Sequence, residues 1–204
     1  MVAVKVCGLT RVADAVLAAD LGASAVGFVF WEESPRFVMP AVAARIRSVL
    51  PDHVAAVGVF VNASRSRIEE VRVEVGLTAI QLHGEETSEF CEALSGDVIR
   101  AVTLENENGL QDLLEFPESV TLLLDAHDPV RRGGTGRVVD WRLAARLAER
   151  RRLFLAGGLT AENVAEAVRM VRPYGVDVSS GIESQPGVKS KQLVENFFGA
   201  VSEA

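Results

Sequence analysis

Apolar residues gather in short runs of Val, Ile, Leu and Phe that begin near Val2, Ala25, Val54, Thr78, Val98, Val120, Leu153 and Val176, each bounded by glycine or a polar turn. Runs of this length and β-branched content predict eight strands. Between several of them the apolar positions change to helical spacing: Val12, Val16, Leu17 and Ala19; Val42, Ile46, Val49 and Leu50; Ile68, Val71 and Val75; Leu143, Leu147 and Ala148; Val164, Ala167, Val168 and Val171. Arginines and carboxylates occupy the opposite faces, as on a helix that covers a core. Thr10, Ser64 and the pair Thr160 and Asn163 precede apolar starts and read as helix caps. The element order is strand then helix, repeated.

Strands separated by helices cannot pair as hairpins, so they predict a parallel sheet with right-handed crossovers and helices on the outside. Eight repeats in 204 residues, without a proline- or serine-rich linker, predict one α/β domain over residues 1–204. Its expected architecture is a single-domain (β/α)8 TIM barrel. An open doubly wound sheet is the alternative at this point. The dinucleotide fingerprint is absent, because Gly133-Gly134-Thr135-Gly136 lacks the third spaced glycine, and there is no P-loop pattern.

Composition changes the picture mainly by exclusion. Hydrophobic residues are 49% and charged residues 24%, an ordinary globular balance. With 28 acidic against 21 basic residues the net charge is −7. The only basic clusters are Arg131-Arg132 and Arg150-Arg151-Arg152, so no nucleic-acid partner is expected. No apolar run reaches the roughly 18 residues of a membrane span. The opening residues do not resemble a secretory leader. These features predict a cytoplasmic protein without a membrane partner. The two cysteines, Cys7 and Cys91, are expected as free thiols.

In a barrel the chemistry sits at the C-terminal strand ends and the loops that follow. Strand 1 ends Lys5-Val6-Cys7-Gly8, and alternation puts Ala3, Lys5 and Cys7 on the inward face, with Cys7 at the rim. Taken alone, Cys7 reads either as a small buried hydrophobe or as a working thiol. Its place just before a helix start at Thr10 favours the thiol. Cys91, on a predicted helical surface, reads as inert. Asp125 follows the apolar run Thr121–Leu124, where a carboxyl held protonated would be a general acid. Lys5 is expected to pair with Asp177 on the neighbouring last strand.

Gly157-Gly158 after strand 7 and Ser179-Ser180-Gly181 after strand 8 predict a phosphate cup built from backbone amides. His83 and Arg36, also at strand ends, have ordinary readings as a loop-satisfying imidazole and a solvated charge. Asp125, His127 and Asp128 are not expected to form a metal site, since strands 2 and 7 end without His or Asp.

Together Lys5-Val6-Cys7-Gly8-Leu9-Thr10, Gly27-Phe28-Val29-Phe30, Ser34-Pro35-Arg36, Val57-Gly58-Val59-Phe60, Gln81-Leu82-His83-Gly84, Gly133-Gly134-Thr135-Gly136, Leu155-Ala156-Gly157-Gly158-Leu159 and Asp177-Val178-Ser179-Ser180-Gly181-Ile182-Glu183 resemble the phosphoribosylanthranilate isomerase family. The resemblance spans nearly the whole chain. It implies a cofactor- and metal-free Amadori rearrangement of N-(5-phosphoribosyl)anthranilate to 1-(2-carboxyphenylamino)-1-deoxyribulose 5-phosphate, a step of tryptophan biosynthesis. It further implies Cys7 as general base and Asp125 as general acid. Arg36 would lie by the anthranilate carboxylate and His83 by the substrate. Gly157, Gly158, Ser180 and Gly181 would hold the phosphate, and loop 133–136 would cover it. The implied partner is this phosphosugar-anthranilate substrate alone, with the chain acting as a monomer or homodimer.

One departure concerns the last helix. The family often has aspartate after Pro-Gly-x-Lys, whereas Pro186-Gly187-Val188-Lys189 is followed by Ser190. Two other readings compete. Indole-glycerol-phosphate synthase would require a catalytic lysine and an N-terminal extension, and the only lysines are Lys5, Lys189 and Lys191. A noncatalytic phosphosugar-binding barrel would not require the pair Cys7 and Asp125.

Overall fold

The computed structural model describes residues 2–125 and 140–204. Eight parallel strands close into a barrel in chain order. They are β1 (Ala3–Val6), β2 (Ala25–Val29), β3 (Ala55–Phe60), β4 (Ala79–Leu82), β5 (Asp97–Val102), β6 (Thr121–Leu124), β7 (Leu153–Leu155) and β8 (Gly175–Val178). Closure is made by β1 pairing with β8, with Lys5 opposite Asp177. The open-sheet alternative is thereby excluded.

Helices α1 (Val12–Asp20), α2 (Pro40–Arg47), α3 (Arg65–Val75), α4 (Ser88–Glu92), α5 (Glu107–Leu114), α6 (Trp141–Ala148), α7 (Val164–Val171) and α8 (Lys191–Ser202) follow the strands. Before α8, β9 (Glu183–Gln185) and β10 (Val188–Lys189) form an antiparallel hairpin that the periodicity does not show. Among the described residues no helix is long and apolar enough to cross a membrane.

Strand alternation divides the core into two layers. Ala25, Val57, Ala79, Ile99, Ala101, Leu123, Phe154 and Ala156 fill the barrel interior. Their neighbours, including Val26, Phe28, Ile80, Leu122 and Leu124, pack outward against the helices. At the rim Cys7 packs with Val29, Val59 and Trp31.

Three local expectations are corrected. Thr10 does not cap α1: its N-cap is Arg11, and the Thr10 hydroxyl donates instead to the Gly187 carbonyl, 2.6 Å away. Asn163 stands at the N-cap of α7 but makes no capping bond to it, accepting instead from Thr160 N. Cys91 lies in α4 but is only 1% exposed, packed into the core and not on a surface. Ser64 does cap α3, accepting from Arg67 N. Ser190 occupies the α8 N-cap without a side-chain bond.

Candidate active site

The C-terminal strand ends surround a cavity of about 740 Å3. Cys7, Arg36, His83, Asp125, Gly157, Gly158, Ser180 and Gly181 all line it, so these sequence-predicted site residues are brought to one place. His127, Asp128 and loop 133–136 lie outside the described residues. Among the described residues no three His, Cys, Asp or Glu side chains converge as metal ligands.

Cys7 extends β1 on its inward face and is 8% exposed. Its room comes from Gly27 on β2, where a Cβ would stand 2.8 Å from Cys7 Sγ and 3.2 Å from Lys5 Nζ. Lys5, fully buried, donates to Asp177 at 2.7 Å, as the alternation of β1 and β8 predicts. Burial alone would depress the Lys5 ammonium, but the charges of Asp177 and Cys7 outweigh it and raise its pKa above the usual value. Burial also dominates at Cys7 and raises its pKa, partly offset by Lys5 and by Lys189. A cysteine base requires either a lowered pKa or proton transfer within the substrate complex. The structure gives no lowered pKa, because the thiol is enclosed, and α1 begins only at Val12.

Asp125 stands at the end of β6, across the mouth from β1. His83 Nε2 is 3.6 Å from Asp125 Oδ2. Gln81, inward on β4, places its amide nitrogen 3.0 Å from His83 Nδ1. An amide that donates to Nδ1 leaves the imidazole proton on Nε2, facing Asp125. The Gln81 Oε1 is buried without a hydrogen-bond partner among the described residues. Sequence reading missed Gln81 as a site residue. The available signal was an amide on the inward face of a buried strand.

The loop carrying His83 is held from below. Arg100 donates to the carbonyls of Leu82, Gly84, Glu86 and Ala101 at 2.8–3.1 Å. Glu86 accepts from Asn62 N and Gly84 N. On the far wall Gly157 and Gly158 adopt φ of +83° and +68°, a conformation costly for other residues. Asn163 ties this loop down by donating to the Gly158 carbonyl. A single 3-10 turn over Ser180–Ile182 completes the cup.

Arg36 reaches the rim from the β2 loop, but it is not a solvated charge. Its Nε and Nη2 grip both oxygens of Glu183 at 2.7–3.2 Å. Glu183, only 4% exposed at its side chain, also accepts from Lys189 Nζ at 2.9 Å. Neither partner was singled out from the sequence, since Lys189 and Glu183 meet Arg36 only through the barrel's closure.

The sequence profile of the N-(5'-phosphoribosyl)anthranilate (PRA) isomerase family matches residues 4–200. The chain belongs to that family. A PRA isomerase of Pelobacter propionicus is 45% identical over 203 residues, covering 100% of this chain and 97% of the relative. The crystal structure of the Thermotoga maritima isomerase, 42% identical, superposes with a TM-score of 0.93 over 100% of both chains. Another isomerase structure, in complex with reduced 1-(o-carboxyphenylamino)-1-deoxyribulose 5-phosphate, is 40% identical and covers 100% of both chains with a TM-score of 0.89. The barrel, the cavity and the family thus agree.

Proposed function

We propose that residues 1–204 form one catalytic domain in which Cys7 and Asp125 perform the isomerisation of phosphoribosylanthranilate that family membership assigns to the chain. The observation that carries this reading is the meeting of Cys7, from β1, and Asp125, from β6, in one cavity with the two glycine-bearing loops. Gly157, Gly158, Ser180 and Gly181 hold the 5-phosphate through backbone amides. Arg36 takes the anthranilate carboxylate.

Asp125, protonated, donates to the furanose ring oxygen as the C1–O bond breaks, opening the ring to a protonated Schiff base. The Cys7 thiolate then removes the proton from C2, and the electron pair forms the enamine. Tautomerisation of the enol at C2 gives the ketone. His83, with its proton on Nε2, supports Asp125 as it becomes a carboxylate. The enclosed thiol resists ionisation, and the adjacent Lys5 ammonium is the charge that stabilises the thiolate when it forms.

A biosynthetic role of this kind fits a cytoplasmic chain acting on a small phosphosugar substrate, as a monomer or a homodimer. The Thermotoga relative is described as dimeric. The decisive experiment follows anthranilate fluorescence with freshly generated phosphoribosylanthranilate, for the native chain, Cys7→Ser and Asp125→Asn. Turnover should collapse in both variants while the reduced product analogue still binds. Native turnover retained in Cys7→Ser refutes the base assignment, and native binding without turnover supports a phosphosugar-binding barrel instead.

A further inference from the structure

The buried charges Glu183 and Lys189 have no part in the proton transfers. A carboxylate that grips the arginine meant for an anionic substrate looks counterproductive, because it cancels the attraction. The surroundings resolve this. Glu183 occupies the Nε and Nη2 edge of Arg36, which leaves the Nη1 corner outside that grip. Gly8, directly after Cys7, leaves room for the arginine stem: a Cβ there would stand 2.5 Å from Arg36 Cδ.

Lys189 supplies the missing charge. Its side chain is fully buried, and Nζ donates to Glu183 Oε1 and to the carbonyls of Cys7, at 2.6 Å, and Ser179, at 3.1 Å. Arg36, Glu183 and Lys189 therefore sum to one positive charge, and a bound carboxylate would bring the cluster to neutrality. The two partners shift in the same direction for different reasons. Burial opposes ionisation of Glu183, but its bond to Arg36 and the charge of Lys189 prevail and lower its pKa. Burial prevails at Lys189 and lowers its pKa despite Glu183.

We propose that Glu183, compensated by Lys189, is a positioning residue that fixes the guanidinium of Arg36 with one corner toward the cavity and so sets selectivity for ortho-carboxylated arylamine phosphosugars. This rests on the reading of Arg36 as the carboxylate anchor. It goes further by assigning the selectivity to a residue that never touches the substrate.

The test is calorimetric binding of two probes, reduced 1-(o-carboxyphenylamino)-1-deoxyribulose 5-phosphate and its counterpart lacking the carboxyl group. The native chain should prefer the carboxylated probe by about 10-fold or more, as for a charge-assisted bond. Glu183→Gln should lose affinity for that probe alone, reducing the preference to about twofold. Glu183→Asp, too short to span Arg36 and Lys189 together, should do the same and serves if Glu183→Gln does not fold. Equal losses for both probes, no loss, or tighter binding of the carboxylated probe overturn the positioning role. If the native chain shows no preference, the Arg36 reading fails as well. A preference lost in Arg36→Met but kept in both Glu183 variants leaves Arg36 standing and removes Glu183.

Discussion

Replacing Gly27 by alanine tests the packing around Cys7. The added methyl would stand 2.8 Å from Cys7 Sγ, 3.2 Å from Cys7 Cα and 3.2 Å from Lys5 Nζ. Optimal nonbonded contacts between heavy atoms lie near 3.5–4.0 Å, so the sulfur must move by roughly 0.7 Å or more. Lys5 cannot yield freely, because it is fully buried and bound to Asp177. Overpacking of this kind costs about 1–3 kcal/mol, within the reserve of an ordinary domain, so the variant should fold. A misplacement of about 1 Å at a reacting group lowers the rate roughly 100-fold. The assay is kcat/KM from anthranilate fluorescence, beside the urea midpoint and the rate of Cys7 alkylation. Turnover within about threefold of native, in a cooperatively folded Gly27→Ala protein, would refute the claim that this glycine sets the position of Cys7 as the proposed base.

Four further outcomes are expected. Because burial raises the Cys7 pKa above its ordinary 9.0, kcat/KM should climb with pH from neutrality upward, and Lys5→Met should push the climb to higher pH; a flat profile between about pH 6 and 9 contradicts this. Glu183 has its folded pKa lowered from 4.5, so its ionisation adds stability that is complete above that ordinary value and is lost as pH falls through the lower folded one. The difference in urea stability between native and Glu183→Gln should therefore shrink on acidification below about pH 4. Arg151 donates to the carbonyls of Leu113, Phe116, Pro117 and Val120; Arg151→Met should cost about 3 kcal/mol or more in urea unfolding, and Arg150→Met, at an exposed position, almost nothing. His83→Ala should lower kcat more than it raises KM, by about 10-fold or more, and an unchanged kcat would separate His83 from Asp125.

The strands were legible because each is a short apolar run bounded by turns, and their starts fall within two residues of the expected positions. The Lys5 pair with Asp177 was legible too, since alternation and closure of the last strand onto the first leave little choice. Helices were harder. α4 is only five residues long, too short for a period to register, and α5 carries Asn108 and Gly109, weak helix formers, in its first turn. The signal for α8 was present in Val194, Phe197, Phe198 and Val201, spaced for one buried face. The arginine run, from which no nucleic-acid partner was expected, has a structural use that its sequence does not show. Arg151 is a buried staple and Arg152 stacks on Tyr174, 3.9 Å from the ring centroid, so the run is no basic patch. The fork of Glu183 on Arg36 spans 147 positions, and no local pattern predicts it. The ionisation of Cys7 depends on enclosure, a property of the closed barrel and not of the β1 sequence.

The seam between β1 and β8 has a consequence for synthesis. Cys7 emerges from the ribosome long before its neighbours Asp177 and Lys189, which are separated from Lys5 and Cys7 by 172 and 182 positions. A nascent chain that ends after β7 already carries Lys5, Cys7 and Asp125 but has two unpaired strand edges and lacks both Asp177, the partner of Lys5, and Lys189, which donates to the Cys7 carbonyl. Chemistry should therefore switch on in one step once β8 and the hairpin after it have emerged. Until then, the growing chain exposes edges that a chaperone can hold but that cannot turn over a substrate.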